Sequence, residues 1–336
     1  MATAKKLNES KKAKYDEFYT LYEDIAAELP NYKEYLQGKR ILCPCDWDES
    51  FQEALVYKEE GYVAPYNLIS IGGTVKLIDI AQSKNRVERE LTTVKCNFVK
   101  FLVAHAEAYG IKSISVSGYN PATGEGVRFQ DVDYSNYDII ITNPPYSVFD
   151  EFIETMFNAG KQFLVIGPTS ALTHKGIFYL FKDNKMWGGY HLHMTGFIKP
   201  NGEILDKSDA NVRYSCWYTN LPVKKKQEKK ILTHKYTPEE YPQYANYNAI
   251  DVGELKAIPY DYDGYMGVPV SILFDYHPDQ FEIIERSAVL AEKIIVNGYS
   301  KNDRFYVEED GVLKRKFDRI VIRNKEVYHD ESEHDN

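Results

Sequence analysis

Apolar residues along the first half of the chain recur at two spacings, and together these predict alternating helices and strands. Helical spacing is present over residues 16–29, where Pro30 ends the run, and over residues 94–109, where Gly110 is a natural C-terminal cap. Short continuous apolar runs are typical of strands that are buried on both faces. Such runs occupy residues 40–45, 111–117, 137–142 and 163–167.

A further helix is predicted over residues 148–158, with Ser147 and Asp150 forming a capping box. Helices that alternate with buried strands are typical of an α/β protein with a parallel, doubly wound sheet and helices on both faces. The first half of the chain therefore predicts this fold class.

The pattern changes beyond residue 190, where we place a domain boundary. Turn residues become dense, the strands are short, and the one clear helix is expected near residues 280–292. Both termini are charged. Residues 1–14 hold five Lys and are expected to form a flexible basic arm, and the acidic residues 325–336 are expected to be disordered.

Composition bounds the class of protein. The chain has 336 residues with 41 Lys and Arg against 50 Asp and Glu, a net charge of −9. The length predicts two domains, or one large domain with an appended module. The charge argues against a uniformly basic nucleic-acid binder but not against a local basic face. No apolar run approaches the roughly 18 residues of a membrane span. Four Cys without a disulfide pattern, and an N-terminus without a secretory signal, fit a reducing cytoplasm.

The segment with the most chemical information is Asn143-Pro144-Pro145-Tyr146, which follows the strand at 137–142. Ligands bind at the carboxyl edge of such sheets. The prolines fix the turn and remove two N–H donors, so Asn143 Oδ1 and the Pro144 carbonyl can accept both hydrogens of a planar NH₂ group while Tyr146 stacks on its face. The alternative is a strand-to-helix turn without chemistry.

This motif and its neighbours resemble the EcoRI-type DNA adenine-N6 methyltransferases, a family of NPPY amino-methyltransferases. The resemblance implies a Rossmann-like catalytic domain over residues 15–190 and a target-recognition region packed on it over residues 191–324. The blocks that carry it follow the family's order, at residues 16–20, 143–149 with 163–175, 185–191, 212–220 and 266–283.

The family resemblance implies S-adenosylmethionine as the cofactor, although the usual glycine-rich loop is missing. Phe18 and its neighbours would cover the methionine part, and Asp131 would accept from the adenine amine, with Asp133 as the alternative. The competing interpretations are that Phe18 belongs to the core of a helix and that Asp131 and Asp133 are solvated carboxylates of a loop. No metal site is expected, because Cys-x-Cys lacks a second ligand pair. The implied cofactor residues are Phe18, Tyr19, Thr20, Cys43, Pro44, Asp46, Tyr119, Phe129 and Asp131.

The implied substrate is an adenine in double-stranded DNA, which must be flipped out of the helix to reach the motif. Lysines near residue 227 and in the basic arm are expected to neutralise phosphates, unless these lysine runs are only solvated loops. Arg213, Asn201 and Asn211 are candidate base readers. The lysines of the run are Lys224, Lys225, Lys226, Lys229 and Lys230.

Several alternatives stay open at this point. The same acceptors would suit RNA adenine or a protein glutamine, and a catalytically silent DNA-binding relative is the option from another class. We expect a monomer without a membrane partner. A restriction endonuclease that acts on the same site, without a stable complex, is an open partner. Residues 54–93 exceed the family's usual length and could form a lid, a DNA-contacting flap or a subunit contact.

Overall fold

A computed structural model shows a mixed α/β protein that divides into two compact units. The first unit comprises Met1–Ile177 and Met186–Pro222, and the second comprises Phe178–Lys185 and Val223–Asn336. Several segments discussed above lie outside the described residues, namely the basic arm, Lys225, Lys226 and most of residues 54–93. Among the described residues, no helix is long and apolar enough to cross a membrane. The structure describes residues 18–46, 75–79, 95–120, 124–199, 201–224 and 228–328.

The first unit carries most of the regular structure. Its helices are α1 (Tyr22–Glu28), α2 (Lys33–Leu36), α3 (Asn97–His105), α4 (Phe149–Asn158), α5 (Lys175–Lys182), which runs on into the second unit, and α6 (Ala210–Arg213). Its strands are β1 (Tyr19–Thr20), β2 (Arg40–Cys43), β3 (Val75–Asp79), β4 (Ser113–Val116), β5 (Tyr119–Asn120), β6 (Glu125–Gly126), β7 (Ile139–Thr142), β8 (Gln162–Pro168), β9 (Trp187–Gly188), β10 (Phe197–Ile198), β11 (Ile204–Leu205) and β12 (Ser215–Thr219).

A seven-stranded sheet with the order β3-β4-β2-β7-β8-β12-β9 forms the centre of this unit. Strands β4, β2, β7 and β8 are parallel, whereas β12 runs antiparallel to β8 and β9. From β2 the chain passes to the edge strand β3 and then to β4 beside β2, and it then crosses to β7 on the other side of β2. Strand order therefore reverses between β2 and β7, and such a switch point opens a crevice at the carboxyl ends of the strands.

Buried apolar side chains explain why these strands lie at the centre. Ile139, Ile140 and Ile141 are fully buried, as expected of a parallel strand covered on both faces. Helix α4 packs closely on the sheet at Gly167. A Cβ at this position would come within 2.2 Å of the Phe149 ring. That contact requires glycine in β8.

Most predicted elements of this unit are confirmed, with small differences at their ends. The strand at 137–142 is β7, and the helix at 148–158 is α4. The predicted capping box is wrong. Helix α4 follows a 3₁₀ turn, Tyr146–Val148, and its N-cap Val148 makes no side-chain capping bond.

The predicted N-terminal helix is shorter than expected. Tyr19–Thr20 is the strand β1, paired with β10, and the helix begins only at Tyr22. Pro30 does not end the helical path, since it lies in the first turn of the 3₁₀ helix Leu29–Tyr32. The proline is tolerated there because a first turn needs no N–H donor.

The second unit is built on a four-stranded sheet with the order β13-β14-β20-β15. A buried ionic network supports it, in which Asp251 accepts from Tyr244 over 2.6 Å and from Arg319 over 3.0 Å. Its elements are β13 (Ile250–Asp251), β14 (Met266–Pro269), β15 (Phe281–Arg286), α7 (Ser287–Leu290), β16 (Ile294–Val296), β17 (Tyr299–Lys301), β18 (Tyr306–Glu309), β19 (Val312–Arg315) and β20 (Arg319–Asn324).

One expectation for this region is wrong. The helix predicted near 280–292 is the strand β15 over Phe281–Arg286, paired with β20, and only Ser287–Leu290 is helical, as α7. Of the tail expected to be disordered, residues 329–336 lie outside the described residues, and Tyr328 N donates to Tyr260 O over 3.0 Å. The boundary also differs from the one placed near residue 190, because β12 pairs with β8 inside the first unit.

Candidate active site

Asn143 lies directly after β7, at the switch point of the sheet. Its Nδ2 donates to the Phe18 carbonyl oxygen over 2.8 Å, and this contact fixes the orientation of the side-chain amide. Oδ1 is then buried and has no hydrogen-bond partner among the described residues. Since a buried polar atom is nearly always paired, Oδ1 is an acceptor that is available to a ligand.

Tyr146 is held at its hydroxyl end. After the buried Pro144, the chain turns at Pro145, whose carbonyl accepts from Val148 N over 3.1 Å. Tyr146 Oη donates to Ser215 Oγ over 2.5 Å. Burial raises the pKa of the Tyr146 hydroxyl well above its usual range, so the phenol stays protonated at neutral pH.

The loop after β2 is tied to the motif strand through Asp46. Thr142 Oγ1 donates to Asp46 Oδ2 over 2.6 Å, and Cys96 Sγ donates to Oδ1 over 3.2 Å. Burial raises the thiol pKa of both Cys43 and Cys45, which keeps these side chains neutral. Within the described part of the chain, no group of three or more His, Cys, Asp or Glu is arranged to hold a metal ion.

The segment Phe18–Thr20 lies against the motif. The Phe18 ring centroid is 6.0 Å from that of Phe197, and Tyr19 pairs with Ile198. The Thr20 carbonyl accepts from Asn97 Nδ2 over 2.8 Å, while Thr20 Oγ1 is buried without a partner among the described residues. The structure therefore brings this segment and Asn143 together.

Two buried carboxylates hold helix α1 behind this segment. Glu28 is fully buried and accepts from Tyr32 Oη over 2.7 Å and from the backbone N–H groups of Tyr190 and His191. Asp24 accepts from Thr195 N over 2.9 Å. Sequence reasoning missed both acids, because the backbone N–H groups from which they accept lie 162, 163 and 171 positions away in the sequence.

The loops after β4 and before β7 place the other predicted cofactor residues. Ser117 Oγ, which no family motif singled out, is buried without a partner among the described residues. The Arg128 guanidinium lies 5.0 Å from the Tyr119 ring centroid. Phe129 is buried against Phe152, with centroids 5.1 Å apart.

The two alternative acids of the third loop differ in their surroundings. Asp133 accepts from Ser135 N over 3.0 Å as a helix cap, and hydrogen bonds from Ser135 lower the pKa of this carboxyl. Asp131 is exposed at the end of the 3₁₀ helix Phe129–Asp131. Asp133 is exposed as well, so the two acids differ in the capping bonds of Asp133 and not in their exposure.

The predicted DNA-contacting residues are not all alike. Lys224 and Arg213 are exposed, and the Arg213 guanidinium lies 5.6 Å from the Tyr214 ring centroid. Lys229 pairs with Glu326. Lys230 is largely buried and pairs with Asp275, which neutralises its charge. The lysine run is therefore not a uniformly free basic surface.

Comparison with known proteins agrees with the geometry. The model of the family described as "Adenine-specific methyltransferase EcoRI" matches residues 6–325. The Type II methyltransferase M.EcoRI of Escherichia coli is 32% identical, over 97% of this chain and 98% of its own length. The Type II methyltransferase M.MpnI of Mycoplasma pneumoniae is 29% identical, over 95% of this chain and 98% of its own. No solved structure gives a significant match. The chain belongs to the EcoRI family of adenine-specific methyltransferases.

Proposed function

We propose that this chain transfers a methyl group from S-adenosylmethionine to the N6 amine of an adenine flipped out of duplex DNA. Family membership supports adenine-specific methyl transfer. The observation that carries the site assignment is the buried Asn143 Oδ1 with no hydrogen-bond partner among the described residues. An acceptor at the end of β7 is what an exocyclic amine requires.

Two buried polar atoms without a described partner support a bound cofactor. They are Thr20 Oγ1, in the segment beside Asn143, and Ser117 Oγ, at the end of β4. The parallel strands with a switch point between β2 and β7 support a Rossmann-like fold for this unit. We assign Phe18–Thr20 to the methionine part and Asp131 to the adenine amine. The cofactor supplies an electrophilic sulfonium methyl group.

Positioning and hydrogen bonding are the main tasks of the protein in this reaction. The adenine amine is a weak nucleophile because its lone pair is delocalised into the ring. Asn143 Oδ1 and the Pro144 carbonyl accept its two hydrogens and draw the nitrogen towards tetrahedral geometry, which localises the lone pair. Tyr146 stacks on the base and offsets about 1–3 kcal/mol of lost stacking. The buried surroundings exclude water.

The second unit is assigned to target recognition, together with those residues after 190 that lie outside the central sheet. Phosphate contacts are assigned to Lys224 with its neighbours Lys225 and Lys226 and to the basic arm, because lysines that neutralise phosphates release the counterions condensed on DNA. Arg213 is assigned to base reading. We further propose a monomer. A restriction endonuclease for the same site, if present, acts separately.

The test is transfer of tritiated methyl groups into duplex DNA, single-stranded RNA and a glutamine-containing protein extract, followed by hydrolysis and chromatography. We expect label only in duplex DNA, recovered as N6-methyladenine. Label in RNA adenine or in protein glutamine would replace the proposed substrate. A folded enzyme that transfers no label to any of them would favour a silent DNA-binding relative.

A further inference from the structure

The Tyr146 hydroxyl begins a relay of two hydrogen bonds that ends on helix α6. Tyr146 Oη donates to Ser215 Oγ over 2.5 Å, and Ser215 Oγ donates in turn to the carbonyl oxygen of Asn211. Each hydroxyl carries one proton, so both protons are used within the relay. The phenol hydroxyl is thereby directed at Ser215.

Ser215 is itself held firmly. It is the first residue of β12, where it pairs with Pro168 of β8, and it is fully buried. A serine hydroxyl that bonds the carbonyl four residues earlier is a recurrent local pattern. Helix α6 is capped by Asp209, which accepts from Asn211 N over 2.8 Å. The acceptor at the end of the relay is therefore fixed as well.

We propose that Ser215 is a positioning residue that fixes the hydroxyl end of the Tyr146 ring and couples the ring to helix α6. This role rests on the proposed stacking of Tyr146 on the target adenine. Helix α6 and its C-terminal cap expose Arg213 and Tyr214, the latter 59% exposed. A DNA contact at that turn would be connected to the Tyr146 ring by two hydrogen bonds, from Ser215 to Asn211 and from Tyr146 to Ser215.

The test is a double-mutant cycle on methyl transfer to duplex DNA, with the wild type, Ser215→Ala, Tyr146→Phe and the double variant. Ser215→Ala leaves a buried phenol hydroxyl unpaired and should lower kcat roughly 10-fold, with KM for the cofactor unchanged. Tyr146→Phe removes the group that Ser215 holds. Adding Ser215→Ala to Tyr146→Phe should therefore change kcat less than about twofold.

Thr219→Val is the matched control, because Thr219 is a fully buried hydroxyl on the same strand that donates to Phe163 O over 2.6 Å. It should lower the thermal midpoint about as much as Ser215→Ala but leave kcat near the wild-type value. The role of Ser215 would be overturned if the losses of kcat in the two single variants multiply in the double variant, or if Thr219→Val loses as much kcat as Ser215→Ala. In either case an active wild type would still support the proposed function. A wild type without activity on DNA would overturn both.

Discussion

Asn143 and Phe18, separated by 125 positions in the sequence, are joined by a 2.8 Å hydrogen bond from Asn143 Nδ2 to the Phe18 carbonyl. One end of the amide thus orients the side chain, and the other end, Oδ1, keeps its acceptor capacity. The bond also ties the segment assigned to the cofactor to the residue assigned to the target amine. Both halves of the proposed reaction site therefore depend on this one side chain.

Asn143→Ala should reduce kcat for methyl transfer by at least about 100-fold, since it removes an acceptor that acts in the transition state. The fold should survive, because the loss of one neutral hydrogen bond costs about 0.5–1.5 kcal/mol. Calorimetry should show modestly weaker cofactor binding, as Phe18 loses its tether. If Asn143→Ala turned over at a near-wild-type rate, Asn143 could not be the acceptor for the target amine.

Asn220→Ala is a suitable control for that variant. Asn220 also uses its amide to join two segments, accepting from Phe163 N over 2.8 Å and donating to Lys161 O over 2.9 Å. It lies after β12, beside the start of β8 and away from the carboxyl edge. It should lose stability and keep its kcat.

Asp131→Ala should weaken cofactor binding by about 1.5–3 kcal/mol, the value of a hydrogen bond to a charged group. Asp133→Ala should instead reduce stability slightly, because Asp133 caps a 3₁₀ turn through Ser135. Isothermal calorimetry of both variants decides between them. Unchanged affinity in Asp131→Ala with a loss in Asp133→Ala would move the role to Asp133.

Neutralising Lys224, Lys225 and Lys226 together should weaken DNA binding for every sequence. It should also reduce the slope of log K against log salt by up to about 0.9 per lysine. Lys229 and Lys230 pair with Glu326 and Asp275, so replacing these two should change the slope by clearly less than about 0.9 per lysine. A change of about 0.9 per lysine would show that these ion pairs break on binding.

Asp138 links pH to stability. Hydrogen bonds from Arg40 lower its pKa from 3.8 to about 2. A carboxyl with a depressed folded pKa stabilises the protein above its unfolded pKa, and this stability is lost as pH falls through the folded value. Asp138→Asn should therefore unfold at lower urea concentration than the wild type at pH 6, and the difference should shrink between about pH 4 and pH 2. A difference that does not depend on pH would contradict the ion pair.

The sequence predicts the elements whose local pattern and tertiary role agree. Buried runs such as Ile139–Thr142 are typical of central strands, and the motif after this run marks the candidate site. Phe281–Arg286 could not be assigned in this way, because the adjacent Ile283 and Ile284 break the alternation that is typical of a half-buried strand. Pairing with β20, with a shift of register between Ile283 and Glu285, makes the segment a strand.

The contacts that complete the candidate site leave a weaker trace in the sequence. The Phe18 contact uses a backbone carbonyl, so no residue type signals it. Glu28 is an acid that is buried because backbone N–H groups from residues 190 and 191 reach it. Ser215 lies within a block that resembles the family, yet its partner Tyr146 is 69 positions away. Long-range pairs of this kind follow only from the fold.

The most direct test of the central claim is the N6-methyladenine content of DNA from cells that lack their own adenine methylation and express this chain. Mass spectrometry and methylation-sensitive sequencing should find N6-methyladenine in one sequence context with the wild type, and none with a folded Asn143→Ala. Methylation that persists in Asn143→Ala, or its absence with a soluble, folded wild type, would contradict the account.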